Sequence, residues 1–301
     1  MRDSIRSRHP ALARFLASVF CLAVTWTFSV HAQENSAWAR IVIVGASVSA
    51  GYTRSTVGPK TEAYARNPLT TPRTYWSTAG PIVPKTNDYA LDRYLNAALL
   101  APHEPARNLA SIWFFENPDL RGSTQIRQAL TNHPTLVVGV DFLFWFCYGK
   151  GKSDQERLDH FEKGLKLLEE VECSLIIGDI PDASAATNGM LSPQEIPSPA
   201  VHLEANRRLK EWAAQHQQVT VVPLAKFMSA VCANEALLVH GHAIAGGTTG
   251  ALLQEDRLHP SPRGCATLAV SILDAFLAGH PGYDATQMRW DPDEVLKAAV
   301  Q

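Results

Sequence analysis

Short β-branched runs recur along this chain with helical stretches between them, and that alternation leaves few folds open. The runs lie at residues 40–44 (R-I-V-I-V), 135–141 (T-L-V-V-G-V-D), 173–180 (C-S-L-I-I-G-D-I) and 219–224 (V-T-V-V-P-L); a further short strand, without β-branched residues, is read at 106–110. They are short and apolar without strict alternation, as strands buried on both faces are. Residues 89–100, 124–131, 154–171, 201–216 and 262–277 read as helices. The clearest is 154–171, where Leu158, Phe161, Leu165 and Leu168 share one face and charges cover the other. The last of these helices, at 262–277, follows P-S-P, with proline inside its first turn. Strands separated by helices predict a parallel sheet covered on both faces, joined by right-handed crossovers. Five strands suit a flavodoxin-like α/β three-layer sandwich of order 2-1-3-4-5. There the first and third strands are neighbours, and ligands bind outside their carboxyl ends. Ser47, just past the first strand, and Asp141, at the end of the third, therefore face one crevice.

The first residues stand apart from this pattern. Arg2, Arg6, Arg8 and Arg14 precede an apolar run, F-L-A-S-V-F-C-L-A-V-T-W-T-F-S-V, and Val30-His31-Ala32 fits a small-residue cleavage site. The run is short for a bilayer span of ~20 residues. Residues 1–32 are therefore read as a secretory signal peptide, with Gln33 as the mature start and 33–301 as one domain. A secreted or periplasmic location follows, with no stable membrane span after cleavage. The formal net charge of -2, from Lys+Arg 27 and Asp+Glu 29, gives no pull toward nucleic acid. Oligomeric state is not written in this pattern. Export would leave Cys147, Cys173, Cys232 and Cys265 in an oxidising compartment. Their spacing does not read as a zinc site. One or two disulfides, or buried free thiols, both fit.

A serine hydroxyl needs a base to take its proton, and the base is commonly a histidine oriented by a carboxylate. Near the end the chain reads L-L-Q-E-D-R-L-H-P-S-P-R-G. Asp256 and His259 are three residues apart, a spacing at which a tight turn lets the carboxylate reach one ring nitrogen and leaves the other free. Ser47 alone is as good a helix cap as a nucleophile. The phosphate reading is weak, because G-x-G-x-x-G is missing. The G-x-S-x-G elbow also fails, since Ser49 stands where its last glycine belongs.

G-A-S-V-S at 45–49 together with D-R-L-H-P at 256–260 resembles the SGNH (GDSL-type) hydrolase superfamily. The resemblance runs through motif order and spacing over most of 33–301, and implies the flavodoxin-like fold. It implies Ser47 as nucleophile, His259 as base and Asp256 as its orienter. It also implies an oxyanion hole from the amide of Ser47, Ala110 (in N-L-A, where the family pattern has N-x-G) and Asp141 (in G-V-D, where it has G-x-N). The chemistry implied is hydrolysis of carboxylic esters: acyl or acetyl esters of sugars, lipids or small alcohols, with no metal and no organic cofactor. Ala46 replaces the usual aspartate before the nucleophile.

Asp141 is the departure with chemical weight. Asparagine donates through its amide, whereas an ionised aspartate only accepts. A missing oxyanion donor costs ~3 kcal/mol of transition-state stabilisation. Asp141 is open to three readings: a carboxyl protonated by burial, a group for substrate hydroxyls or a water, or the mark of a weak catalyst. A ligand-binding protein on the same scaffold and an acyltransferase to a sugar hydroxyl are the alternatives to hydrolysis. His240 and His242 form an H-x-H pair with no clear third ligand, read as part of a mobile loop. Tyr75 and Trp76 are candidates for a cleft wall or for packing. Phe142 to Phe146 reads mainly as core, and Asp179 and Asp182 as surface-loop carboxylates.

Overall fold

The computed structural model describes residues 36–53, 89–187 and 189–301, and the backbone of 75–77 and 80–82. The expected leader at 1–32 and the expected start at Gln33 lie outside the described residues, as do the side chains of Tyr75 and Trp76. In chain order the strands are β1 (Ile41–Ile43), β2 (Tyr75–Ser77), β3 (Gly80–Ile82), β4 (Arg107–Asn108), β5 (Leu136–Gly139), β6 (Ser174–Gly178), β7 (Val219–Val222), β8 (Leu237–Val239) and β9 (His242–Ile244). The α-helices are α1 (Ser47–Ala50), α2 (Leu91–Ala98), α3 (Pro118–Leu130), α4 (Phe144–Cys147), α5 (Asp154–Leu168), α6 (Pro199–Ala214), α7 (Leu224–Ala233), α8 (Pro262–Gly279) and α9 (Pro292–Ala299).

The β-branched runs form one parallel sheet in the order β4-β1-β5-β6-β7. Counting sheet strands alone, this is the expected 2-1-3-4-5. Alternate residues of each strand enter different cores, as the twofold period of a strand requires. Ile41, Ile43, Val138, Ile176 and Val222 join α2, α8 and α9. Val42, Val44, Val137, Leu175 and Ile177 join α3, α5 and α6. The result is an α/β three-layer sandwich with a core on each side of the sheet.

Local capping accounts for several boundaries. Ser153 and Glu156 form a reciprocal capping box at the start of α5. Helix α3 begins at Pro118 rather than near Thr124, because Asn117 Oδ1 accepts from the Leu120 amide and proline occupies the first helical position. Helix α7 was not expected: the run from Val219 reads as one strand, but Pro223 ends the ladder and the apolar residues after it coil. Residues 262–277 are not the last helix, since α9 follows and packs Val295 and Ala299 into the first core. The stretch around His240 and His242, expected as a loop, forms the β8–β9 hairpin. His240 Nδ1 there pairs with Asp274 at 2.8 Å, and its ring stacks on Trp290.

Cys147, Cys173, Cys232 and Cys265 carry free thiols, so the disulfide option falls away. Burial pushes the Cys147 thiol up to about 12, which keeps it protonated and inert. Among the described residues no helix is long and apolar enough to cross a membrane.

The start of α8 bears directly on the site. Ser261 Oγ accepts from the Gly264 amide, and the Ser261 amide donates to the Leu252 carbonyl at 2.8 Å. A Cβ on Gly264 would lie 1.9 Å from that carbonyl oxygen. Gly264→Ala is therefore expected to destabilise the fold by about 1–3 kcal/mol through overpacking, read as a lower urea midpoint at unchanged slope.

Candidate active site

Ser47 sits where β1 gives way to α1, outside the carboxyl end of the sheet. Two things bend the chain there. Gly45 has φ +137, a conformation open to glycine, and a Cβ on it would fall 2.2 Å from Asp141 Oδ1. The buried Gln125 clamps the same residue: the Gly45 amide donates to Gln125 Oε1 at 2.7 Å, and Gln125 Nε2 donates to the Gly45 carbonyl at 3.0 Å. That carbonyl also accepts from the Ser111 amide at 3.1 Å. Ser47 is the first helical residue, and Ala46 before it offers no side chain to cap α1.

The cap comes from across the sheet. Asp141 Oδ2 accepts from the amides of Val48 at 2.9 Å and Ser49 at 3.2 Å, and Oδ1 accepts from Ser49 Oγ at 2.6 Å. Asp141 is 7% exposed. Burial pushes its carboxyl above the ordinary range, against the hydrogen bonds from Ser49 Oγ and the amides of Ala46, Ser49 and Val48. Asp141 thus lies beside the Ser47 turn, facing it as an acceptor.

His259 and Asp256 reach Ser47 from the loop before α8. His259 Nε2 lies 2.8 Å from Ser47 Oγ, and its Nδ1 lies 2.9 Å from Asp256 Oδ2. Asp256 Oδ1 accepts from the amides of Leu258 and His259, each at 3.0 Å. Arg257, at φ 60, makes the turn that folds the carboxylate back onto the ring. Asp256 and His259 are 2% and 1% exposed. Burial works against charge on Asp256, but the bonds from the His259 ring and from the two amides, with the imidazole charge, outweigh it and hold the carboxyl below its ordinary range. An ionised Asp256 only accepts, so Nδ1 carries the ring proton and Nε2 is free to accept from the Ser47 hydroxyl. The Tyr52 ring lies 4.3 Å from that of His259.

Asn108 Nδ2 donates to the Ser49 carbonyl at 2.8 Å and to Asp92 at 2.6 Å, while its Oδ1 accepts from the Ala110 amide at 3.0 Å. Ala110 therefore lies at the end of β4 beside the turn, with its amide donating to Asn108. Asp182 is exposed, as expected, but Asp179 is not a surface-loop group: it is partly buried, and its Oδ1 accepts from the Ala225 amide at 2.6 Å at the start of α7. Phe142 and Phe146 are core, while Phe144 and Trp145 border a cavity of about 70 Å³ that begins at Ser47. An open, polar cleft of about 850 Å³ is lined by Asp92, Asn96, Asn108, Ala110 and Ser111. Gln125 and Ser49 had not been singled out from the sequence. A polar residue on the same face as Ile126 and Ala129 of α3 was the available signal for Gln125.

No protein-family model matches the sequence, and no curated protein matches it. Solved structures to which the chain is similar include a lipase/acylhydrolase from Enterococcus faecalis, with 15% identity, TM-score 0.49, and 84% of this chain and 98% of that one covered. A GDSL-like lipase from Parabacteroides merdae aligns at 13% identity and TM-score 0.42, over 79% of this chain and 95% of the other. TesA aligns at 16% identity and TM-score 0.37, over 80% and 98%. The sheet order and its helical layers are those of a flavodoxin-like three-layer sandwich.

The raised Asp141 carboxyl has a consequence for stability. A carboxyl whose folded-state pKa lies above the unfolded value contributes most below the unfolded value, and that contribution is lost as pH rises through the folded one. Asparagine keeps an acceptor for the Val48 and Ser49 amides and a donor for Ser49 Oγ. Relative to Asp141→Asn, the wild type should lose about 1.4 kcal/mol per pH unit between the ordinary carboxylate range and the raised value. Urea unfolding of both proteins across that range measures the difference.

Proposed function

We propose that the protein is an exported serine hydrolase that cleaves carboxylic esters. The observation that carries this reading is the buried chain Ser47 Oγ–His259 Nε2 and His259 Nδ1–Asp256 at 2.8 and 2.9 Å. Ser47 Oγ attacks the acyl carbonyl while His259 Nε2 takes its proton. Asp256 holds the Nδ1 proton and stabilises the imidazolium that forms. Collapse of the tetrahedral intermediate expels the alcohol, which receives the proton from Nε2. A water activated by the same nitrogen then releases the acid and restores Ser47. The leader-like run at 1–32 supports export, and the polar cleft beside Ala110 suits a hydroxyl-rich alcohol such as a sugar.

The oxyanion is met by the amides of Ser47 and Ala110, the latter in competition with Asn108 Oδ1. Asp141 has another task. Ala46 cannot cap α1, and Asp141 supplies the carboxylate that does. The two departures from the family pattern are thus one arrangement: the anchoring acceptor sits on the third sheet strand instead of beside the nucleophile. Ionised Asp141 adds no donor to the oxyanion. This feature also favours a second reading, a ligand-binding protein with a weakly active serine.

A fluorophosphonate probe should label folded wild type on Ser47, and p-nitrophenyl ester cleavage should fall about 10⁴-fold or more in Ser47→Ala and His259→Ala. Absence of labelling on folded protein would favour the binding reading. Asp141→Asn should raise kcat at least about tenfold at pH values where Asp141 is ionised, and little where it is protonated. Asp141→Ala leaves the Val48 and Ser49 amides without their acceptor and should cost about 1–3 kcal/mol of stability.

A further inference from the structure

We infer that the cavity beside Ser47 is an acyl pocket for neutral chains of about four to six carbons. This rests on the reading of Ser47 as the group that is acylated. Ala46, Ser47 and Val48 are part of its lining, which puts an acyl group carried on Ser47 beside the space. Beyond the serine its wall is apolar. Val140, Phe144 and Trp145 come from the segment after β5, Leu224, Phe227 and Met228 from α7. Leu253, Leu258 and Leu268, all buried, add to the lining.

Two carboxylates also border this space, and neither is free to greet a substrate. Asp141 is bound to the amides at the start of α1, and Asp179 to the Ala225 amide at the start of α7. Burial pushes both carboxyls up. An acyl chain ending in its own carboxylate would have to leave water beside these two groups, with no cation to pair with among the described residues of the lining, so anionic acyl chains are disfavoured.

The cavity measures about 70 Å³. In that measure one water needs about 10–15 Å³, so the space holds roughly five to seven water-sized groups. A methylene is close to a water in size. With one or two places taken by the carbonyl group, about four or five carbons remain, which sets the limit near hexanoyl. An acetyl group leaves most of the apolar wall uncovered. Decanoyl does not fit without moving α7.

The test uses the full chain and p-nitrophenyl esters from acetate to dodecanoate. From acetyl to about hexanoyl, kcat/KM should rise about fourfold per methylene, equivalent to ~0.8 kcal/mol of burial each. It should then fall at least about tenfold by decanoate. Met228→Ala, which enlarges the space from the α7 side, should move the optimum to longer chains. The p-nitrophenyl hemisuccinate should react at least about tenfold more slowly than the butyrate. An optimum at acetate, or a rate still rising at dodecanoate, overturns the pocket while leaving ester hydrolysis standing. Calorimetric titration of Ser47→Ala with acetamide, butyramide, hexanamide and octanamide separates the two ideas. Tightest binding of hexanamide, with no ester cleaved by wild type, upholds the pocket and sinks the hydrolase. No preference among the amides, with esters cleaved evenly, does the reverse.

Discussion

Hydrogen bonds converge on the turn that carries Ser47 from three separate parts of the chain. Gln125 on α3 grips both polar atoms of the Gly45 backbone, the Ser111 amide reaches the same carbonyl from beyond β4, and Asp141 beyond β5 caps the first amides of α1. The turn needs all of this because its own residues supply little: Gly45 adds conformational freedom at an entropic cost, and Ala46 has no capping group. His259 meets the hydroxyl at 2.8 Å only if that turn stays in place.

The same device recurs one strand further on. Asp179 after β6 caps α7, just as Asp141 after β5 caps α1. In both places a carboxylate at a strand end satisfies helix amides that their own segment leaves open, because Ala46 and Pro223 make no side-chain cap bond. Both carboxylates border the cavity at Ser47. Their oxygens are turned to backbone amides, which lets an apolar space exist next to two acidic residues. Burial raises both carboxyls.

How far the chain could be read in advance depended on whether the information was local. The β-branched runs and the face of 154–171 are local patterns, and the sheet order followed from them by general rules of connection. The pair Asp256 and His259 was legible because three residues of spacing and a turn suffice to join them. Helix α7 was not, since Pro223 and the carboxylate of Asp179, 46 positions from Ala225, decide where the strand stops and the helix starts. Helix α9 is anchored in the first core by Val295 and Ala299, with Leu296 packed against it, too short an apolar pattern to advertise a helix before α2 and α8 are known to be its neighbours. The four thiols were ambiguous for a similar reason: whether two cysteines meet is a property of the packed chain.

By itself, then, the sequence determined the layered α/β architecture, the placement of Ser47 after the first strand, and the means for a carboxylate and an imidazole to pair before α8. These rest on residue type and short spacing, which act before the chain is compact. Only the tertiary structure decided that Asp141 would cap the turn that carries Ser47 and that Gln125 would clamp Gly45. Each of those depends on groups brought within 3 Å from 80 or more positions away, and hydrogen-bond distances of that kind exist only once the sheet has set its strands side by side.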